Sequence, residues 1–244
     1  LTLETLSTHP VILLAQGFLP FFYCDHVVNV SDKHMQHSTV SHMHNTRGSS
    51  DQWRTSTTHW LNAKQDPLVS RLHNIASQLT HIDRSHQEHV QVLRYYPSQQ
   101  YDSHWDYFEP SLYRGTDMEN TIKRGKNRLA TVFWYMSDVS DGGWTYFPRS
   151  GKLPDPKVCV VCFLKNINVT LILGSYSYKL KKVSDCKKGG LLISPKKGNA
   201  ILFYSMTPSG GFDELSLHGA CPVGEKNIKW AANLWIWSKP VTFL

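Results

Sequence analysis

A change of periodicity near residue 80 constrains this chain more than any other feature. Before it, Asp66-Pro67 is followed by Leu68, Leu72, Ile75 and Leu79. That is a capping acid, a proline at the first helical position and an apolar stripe at helical spacing, and it predicts a helix over residues 67–79. After it the apolar runs are short and rich in β-branched and aromatic residues: VQVLRYY (90–96), RLATVFWYM (128–136), GLLISP (190–195), NAILFYSM (199–206) and KWAANLWIW (229–237). Turn signals such as Asp141-Gly142-Gly143 and Lys197-Gly198-Asn199 separate them. The pattern predicts a mainly β protein, a sandwich or barrel with helices on its N-terminal side. At 244 residues and 41% hydrophobic the chain can bury one sizeable core, so a single domain over 1–244 is expected.

The formal charge of +7 is unevenly placed. Residues 149–197 hold eleven Lys/Arg against Asp155 and Asp185, a local +9 that leaves the remainder at about −2. The basicity belongs to one segment, and no nucleic-acid partner is expected from it. Within it, residues 157–182 stand apart, apolar and β-branched at first and then basic, between the turn-like SGKLPDP and SDCKKG. They read as an inserted hairpin or long rim loop. A metal or redox role for Cys159 and Cys162 would need a second ligand pair that the sequence does not supply.

Five cysteines are too few for a disulfide scaffold, and the odd count leaves at least one thiol unpaired in a monomer. Sequons at Asn29 and Asn168 permit a secretory reading. The apolar run 11–24 is too short to span a bilayer and is broken by Gln16, Gly17 and Pro20. It predicts a first strand leading into a helix, and leaves room for a membrane anchor ahead of Leu1. Oligomeric state is not readable.

The stretch YDSHWDYF (101–108) carries His104 and Asp106 two positions apart. On an extended chain they point to the same side, so imidazole and carboxylate can reach one metal ion. In a chain with 13 histidines this pair alone is weak, and a surface or core position is the commoner reading. The far end of the chain strengthens it: SLHGACPVGEKNIKWAANLWIW places His218 ahead of a strand that begins near Lys229. Two histidines and a carboxylate hold non-haem Fe(II) on one face and leave positions open. An oxygenase that uses 2-oxoglutarate also needs a fixed cation for the distal carboxylate of that co-substrate. His218 and Lys229 meet both needs in order, with Lys226 in GEKN as a rival cation.

At this point the residues resemble the prolyl 4-hydroxylases, the 2-oxoglutarate- and Fe(II)-dependent dioxygenases built on a double-stranded β-helix or jelly roll. FLPFFYCDHVV is similar to the family's opening element, WRTSTTHWL (53–61) to its RTS…W segment, and VQVLRYYPSQQYDSHWDYF to its approach to HxD. NRLATVFWYMSDVSDGGWTYFP resembles its strand and GGxTxFP turn, KKGNAILFYSM its KxGxAxxF strand, and SLHGACPV…KW its distal histidine block. The resemblance covers nearly the whole chain outside 157–182.

The resemblance implies His104, Asp106 and His218 as iron ligands. It implies that Lys229 binds the far carboxylate of 2-oxoglutarate, with the hydroxyls of Tyr95 and Thr131 and with Trp235 against the co-substrate. Tyr101 is implied in the peptide groove, with Trp105, Tyr107 and Trp237 as further candidates. The reaction implied is hydroxylation of peptidyl proline at C4 with Fe(II), O2, 2-oxoglutarate and ascorbate, on a proline-rich or collagen-like substrate, in the endoplasmic reticulum.

There are departures. The 114 residues from His104 to His218 exceed the family's usual spacing, mostly through 157–182. Trp144 replaces the glutamate of GGETxFP, and Trp237 stands where a groove histidine is common. Between His218 and Lys229 there is one residue more than usual, which a bulge could absorb or Lys226 could answer. Two rivals stay open: an oxygenase of the same fold acting on lysyl residues or nucleic-acid bases, and a non-catalytic peptide-binding module.

Overall fold

The computed structural model describes residues 2–38, 54–150, 170–171, 186 and 189–241. Strands β1 (Thr2–Thr8) and β2 (Val11–Gln16) form a hairpin and lead into helix α1 (Phe21–Ser31). Next come β3 (Gln36–His37), β4 (Thr57–Leu61), α2 (Pro67–Thr80), β5 (Val90–Tyr95), β6 (Tyr101–His104) and α3 (Asp117–Lys123). The rest is β7 (Arg128–Tyr135), β8 (Thr145–Phe147), β9 (Thr170–Leu171), β10 (Leu191–Ile193), β11 (Ala200–Tyr204), β12 (His218–Ala220) and β13 (Lys229–Trp237). The run 11–24 does hold a strand and the start of a helix, but the strand is the second: β1 precedes it. Helix α2 begins where Asp66 Oδ1 accepts from the amides of Leu68 and Val69 at 2.8 and 3.1 Å. It ends one residue past the predicted Leu79, at a left-handed His81.

The strands form a nine-stranded sheet, ordered β3-β4-β5-β13-β7-β11-β2-β1-β9, and a four-stranded sheet, β10-β8-β12-β6. Pairing is antiparallel except for β9 on β1. This is a jelly-roll core, and strand alternation explains its layering. Ala130, Val132 and Trp134 of β7, with Ala232, Leu234 and Ile236 of β13, pack against α1 and α2 through Val27, Val69, Leu72 and Ala76. The opposite parity, including Phe133, Tyr135 and Ala231, packs with Phe147 and Ile193 of the smaller sheet. Covered on both faces, β13 reads as a nearly unbroken apolar run.

Cys186 is disulfide-bonded to Cys221, and Cys24 is the free thiol among the described residues. Of the 157–182 insert, residues outside 170–171 lie beyond the described residues, as do Cys159, Cys162 and Asn168. Among the described residues, no helix is long and apolar enough to cross a membrane.

Candidate active site

Strand β12 starts at His218 and runs antiparallel to β6, with His218 opposite His104. That register brings the two imidazoles side by side, ring centroids 4.5 Å apart. The close approach of the strands depends on Gly219, where a Cβ would come 2.8 Å from the carbonyl oxygen of Tyr101. Asp106 arrives by another route than strand alternation, because β6 ends at His104 and the chain bends through Asp106. The bend still turns its carboxylate inward, with Oδ1 3.8 Å from His104 Nε2 and Oδ2 3.6 Å from His218 Nε2. One ligand atom from each of the three residues lies within 4.8 Å of the others.

The protonation of this trio suits a cation. His104 Nδ1 donates to the carbonyl of Asp102 and His218 Nδ1 to that of Ser216, each at 2.9 Å. A carbonyl only accepts, so each Nδ1 carries a proton and each Nε2 is the nitrogen turned toward the centre. Burial, reinforced by His218, drives His104 well below the usual imidazole range and keeps it neutral. Burial alone would raise the Asp106 carboxyl, but His218, His104, Arg128 and the Thr131 hydroxyl together hold it below the usual carboxylate range. Two imidazoles, each with Nδ1 engaged by a backbone carbonyl, and one carboxylate, with open space beside them, fit Fe(II).

Four β13 residues from Lys229 to Trp235 share the inward parity of this site, and Lys229 lies opposite Tyr95. Its side chain is fully buried, and its Nζ has no hydrogen-bond partner among the described residues. The rings of Tyr95, Phe133 and Tyr135 surround it, with centroids 5.3, 5.5 and 5.9 Å from Nζ. Burial pushes the ammonium down to about 7. An orphaned ammonium in an aromatic nest fits a carboxylate and little else. Lys226, in contrast, is exposed.

Thr131 needs correcting. It sits opposite Trp235 on β13, and its hydroxyl donates to Asp106 Oδ2 at 2.6 Å. Thr131 thus orients the metal-binding carboxylate, whereas the hydroxyl on the Lys229 side is Thr145, which faces the cavity and accepts from the Tyr135 hydroxyl at 2.7 Å. The threonine of GGWTYFP was the available signal for it.

The metal trio opens into a cavity of about 170 Å³. Tyr101 lines it, stacked on His104 at 3.8 Å with the Arg54 guanidinium over its ring at 4.7 Å. Tyr95 and Trp235 line it as well. Trp105 and Tyr107 stand toward its rim: the Trp105 indole donates to the carbonyl of Glu214 at 3.1 Å, and Tyr107 stacks on Phe212 at 4.6 Å. Trp237 is the second correction. It is 2% exposed, packs with Phe108, Tyr113 and Ile122, and is absent from the cavity wall. Its indole donates to Glu88 Oε1 at 2.6 Å, and Glu88 in turn receives Arg128 Nε and Nη2 at 2.6 and 2.9 Å. Arg128, whose guanidinium lies 3.6 Å from the Trp235 ring centroid, is the cavity residue that Trp237 supports. Sequence reasoning missed Arg54, Glu88, Gln91, Arg128, Thr145 and Asn233. Inward parity on β5, β7 and β13 would have pointed to Gln91 and Asn233. Trp144 is half-buried, and its backbone carbonyl accepts from the Cys221 amide at 2.9 Å.

Comparison with known proteins agrees with this geometry. The model of the 2OG-Fe(II) oxygenase superfamily matches residues 90–237. Over 233 residues the chain is 33% identical to the probable prolyl 4-hydroxylase 4 and 34% identical to prolyl 4-hydroxylase 2, both of Arabidopsis thaliana, spanning 96% of this chain and 69% of each relative. The chain belongs to the prolyl 4-hydroxylase family. Two solved prolyl hydroxylases share the fold at lower identity. The viral collagen prolyl hydroxylase of Paramecium Bursaria Chlorella virus-1, with 2-oxoglutarate, gives a TM-score of 0.59 at 21% identity, covering 93% of this chain and 96% of that one. The Pseudomonas putida prolyl-4-hydroxylase gives 0.52 at 15%, covering 94% and 92%. As a prolyl 4-hydroxylase family member, the chain carries the Fe(II), 2-oxoglutarate and O2 dependence of the superfamily, and His104, Asp106 and His218 are the residues that could hold the metal.

Proposed function

We propose that this member of the prolyl 4-hydroxylase family adds a hydroxyl to C4 of prolyl residues in an extended, proline-rich peptide. The observation that carries the reading is a three-ligand trio, with its two histidines on the small sheet, together with an orphaned buried lysine on β13 of the large sheet that packs against it. Fe(II), when bound by His104, Asp106 and His218, supplies the chemistry that couples decarboxylation of 2-oxoglutarate to insertion of oxygen from O2 into a C–H bond. The protein's residues do the rest. Lys229 pairs with the distal carboxylate of 2-oxoglutarate, with Tyr95 and Thr145 beside it, and so fixes the end of the co-substrate remote from the metal. Thr131 holds the Asp106 carboxylate. Trp235, under Arg128, offers an aromatic face to a prolyl ring, and Tyr101, clasped between Arg54 and His104, borders the groove beside it. Trp105 and Tyr107 border the entrance.

Ascorbate is proposed as the reductant that keeps the metal ferrous. The endoplasmic reticulum lumen is proposed as the compartment, supported by the Cys186–Cys221 disulfide and by the exposed Asn29 of a sequon on α1. Glu109, Asp213 and Glu214 act on Tyr107 at the entrance and outnumber Arg149, which disfavours a polyanionic substrate. The test is to incubate the protein with Fe(II), 2-oxoglutarate, ascorbate and proline-rich peptides. Hydroxyproline identified by mass spectrometry supports the reading, and oxygen added at lysine or at a base refutes it.

A further inference from the structure

The cavity floor carries a polar row for which the metal and co-substrate have no use. Strands β4, β5 and β13 lie side by side, and their register sets Trp60 opposite Gln91 and Gln91 opposite Asn233. All three face the cavity. Asn233 is four residues along β13 from Lys229, about 13 Å at the rise of a strand. The row is therefore well removed from the lysine that holds the co-substrate.

Gln91 is only 5% exposed. Its Oε1 accepts from Arg54 Nη2 and from Asn233 Nδ2, both at 3.3 Å. Those two bonds fix which way each amide faces. Gln91 Nε2 and Asn233 Oδ1 are left without a partner among the described residues, a donor and an acceptor side by side on the cavity wall. Both atoms stay accessible from the cavity, so the pair is matched to a ligand that brings an acceptor and a donor together. Beside the row, Trp60 and Trp235 approach with ring centroids 5.9 Å apart, and Trp60 is 45% exposed.

We propose that Gln91 and Asn233 read one secondary peptide unit of the substrate backbone, Gln91 Nε2 donating to its carbonyl oxygen and Asn233 Oδ1 accepting from its N–H. The inference rests on the peptide reading above and narrows it. A prolyl nitrogen in a peptide carries no hydrogen, so the unit that is read cannot be an X–Pro bond. An extended chain in which proline alternates with another residue supplies an N–H at every second position, whereas a run of consecutive prolines supplies none. The preferred substrate is thus an interrupted proline-rich chain. A nucleobase edge also offers a donor beside an acceptor, but the acidic entrance disfavours the phosphates that come with it.

The test is isothermal titration of the full chain with two peptides of equal length, one of alternating alanine and proline, the other with every alanine N-methylated. The wild type should bind the first about tenfold more tightly, the worth of one buried hydrogen bond. Asn233→Leu should bring that ratio close to one, whereas Gln91→Leu, which removes the donor to a carbonyl that both peptides keep, should weaken both and leave the ratio near the wild-type value. Asn233→Asp, which keeps an oxygen at the accepting position, should retain the preference and guards against a leucine variant that fails to fold. An unchanged ratio in Asn233→Leu, no preference in the wild type, no binding of either peptide, or binding of a single-stranded oligonucleotide in their place would overturn the proposal. Hydroxyproline assayed on the same peptides separates the two readings, because the expected ratios without hydroxyproline would uphold the amide pair and refute the proposed reaction.

Discussion

Single side chains decide whether the cavity holds its two small partners. The Thr131 hydroxyl is the direct restraint on Asp106, and partners that orient a metal ligand typically change affinity by about 10–100-fold. Thr131→Val should therefore weaken Fe(II) binding by roughly tenfold, measured anaerobically, with little effect on the melting temperature. Lys229 titrates at about 7 in the unliganded fold against an ordinary 10.5. Because the folded value is depressed, its stability contribution is complete above the unfolded value and is lost as pH falls through the folded one. Lys229→Met should accordingly stabilise the unliganded protein at neutral pH and much less near pH 10. An arriving carboxylate restores the charged form, so 2-oxoglutarate binding should take up a proton between about pH 7 and pH 10. Calorimetry in buffers of different ionisation enthalpy should show that uptake in the wild type, no uptake in Lys229→Met, and wild-type behaviour in Lys226→Ala.

Elements differ in how much of their placement is local. Helix α2 was legible because its cap, its proline and its stripe all lie within its own sequence, and it ends within one residue of expectation. Strands β5, β7, β11 and β13 were legible as apolar runs. The three-residue β8 and β12 and the two-residue β3 and β9 were not, since strands that short are defined by partners far along the chain. The same limit explains the site. HxD and the distal histidine could be matched from sequence, but Thr131 and Thr145 could not be told apart until register put one beside Asp106 and the other beside Tyr135. Trp237 looked like a groove aromatic because its burial depends on Phe108 and Tyr113, which are remote in sequence. At this scale the disulfide is the sharpest test: Cys221 lies three residues after His218 and is tied to Cys186 across 35 residues. Its reduction should cost about 2–4 kcal/mol in denaturant titrations.

At the scale of the molecule, helices cover one face of the large sheet and leave the other to form a cavity with the small sheet. One strand, β13, then serves the whole proposed site: Lys229 for the co-substrate and Asn233 for the peptide, with Trp235 beneath Arg128. Of the segment 149–197 with its local charge of +9, Arg149 stands at the entrance, 5.2 Å from the Trp105 ring centroid and among Glu109, Asp213 and Glu214. The central claim is that these parts together hydroxylate peptidyl proline. The most direct measurement follows succinate and hydroxyproline together during turnover of an alternating proline peptide with Fe(II), 2-oxoglutarate, O2 and ascorbate. The account predicts matched amounts of the two products and loss of both in Asp106→Ala. Succinate formed without hydroxyproline on any proline-rich peptide, or hydroxyproline that persists in Asp106→Ala, would contradict it.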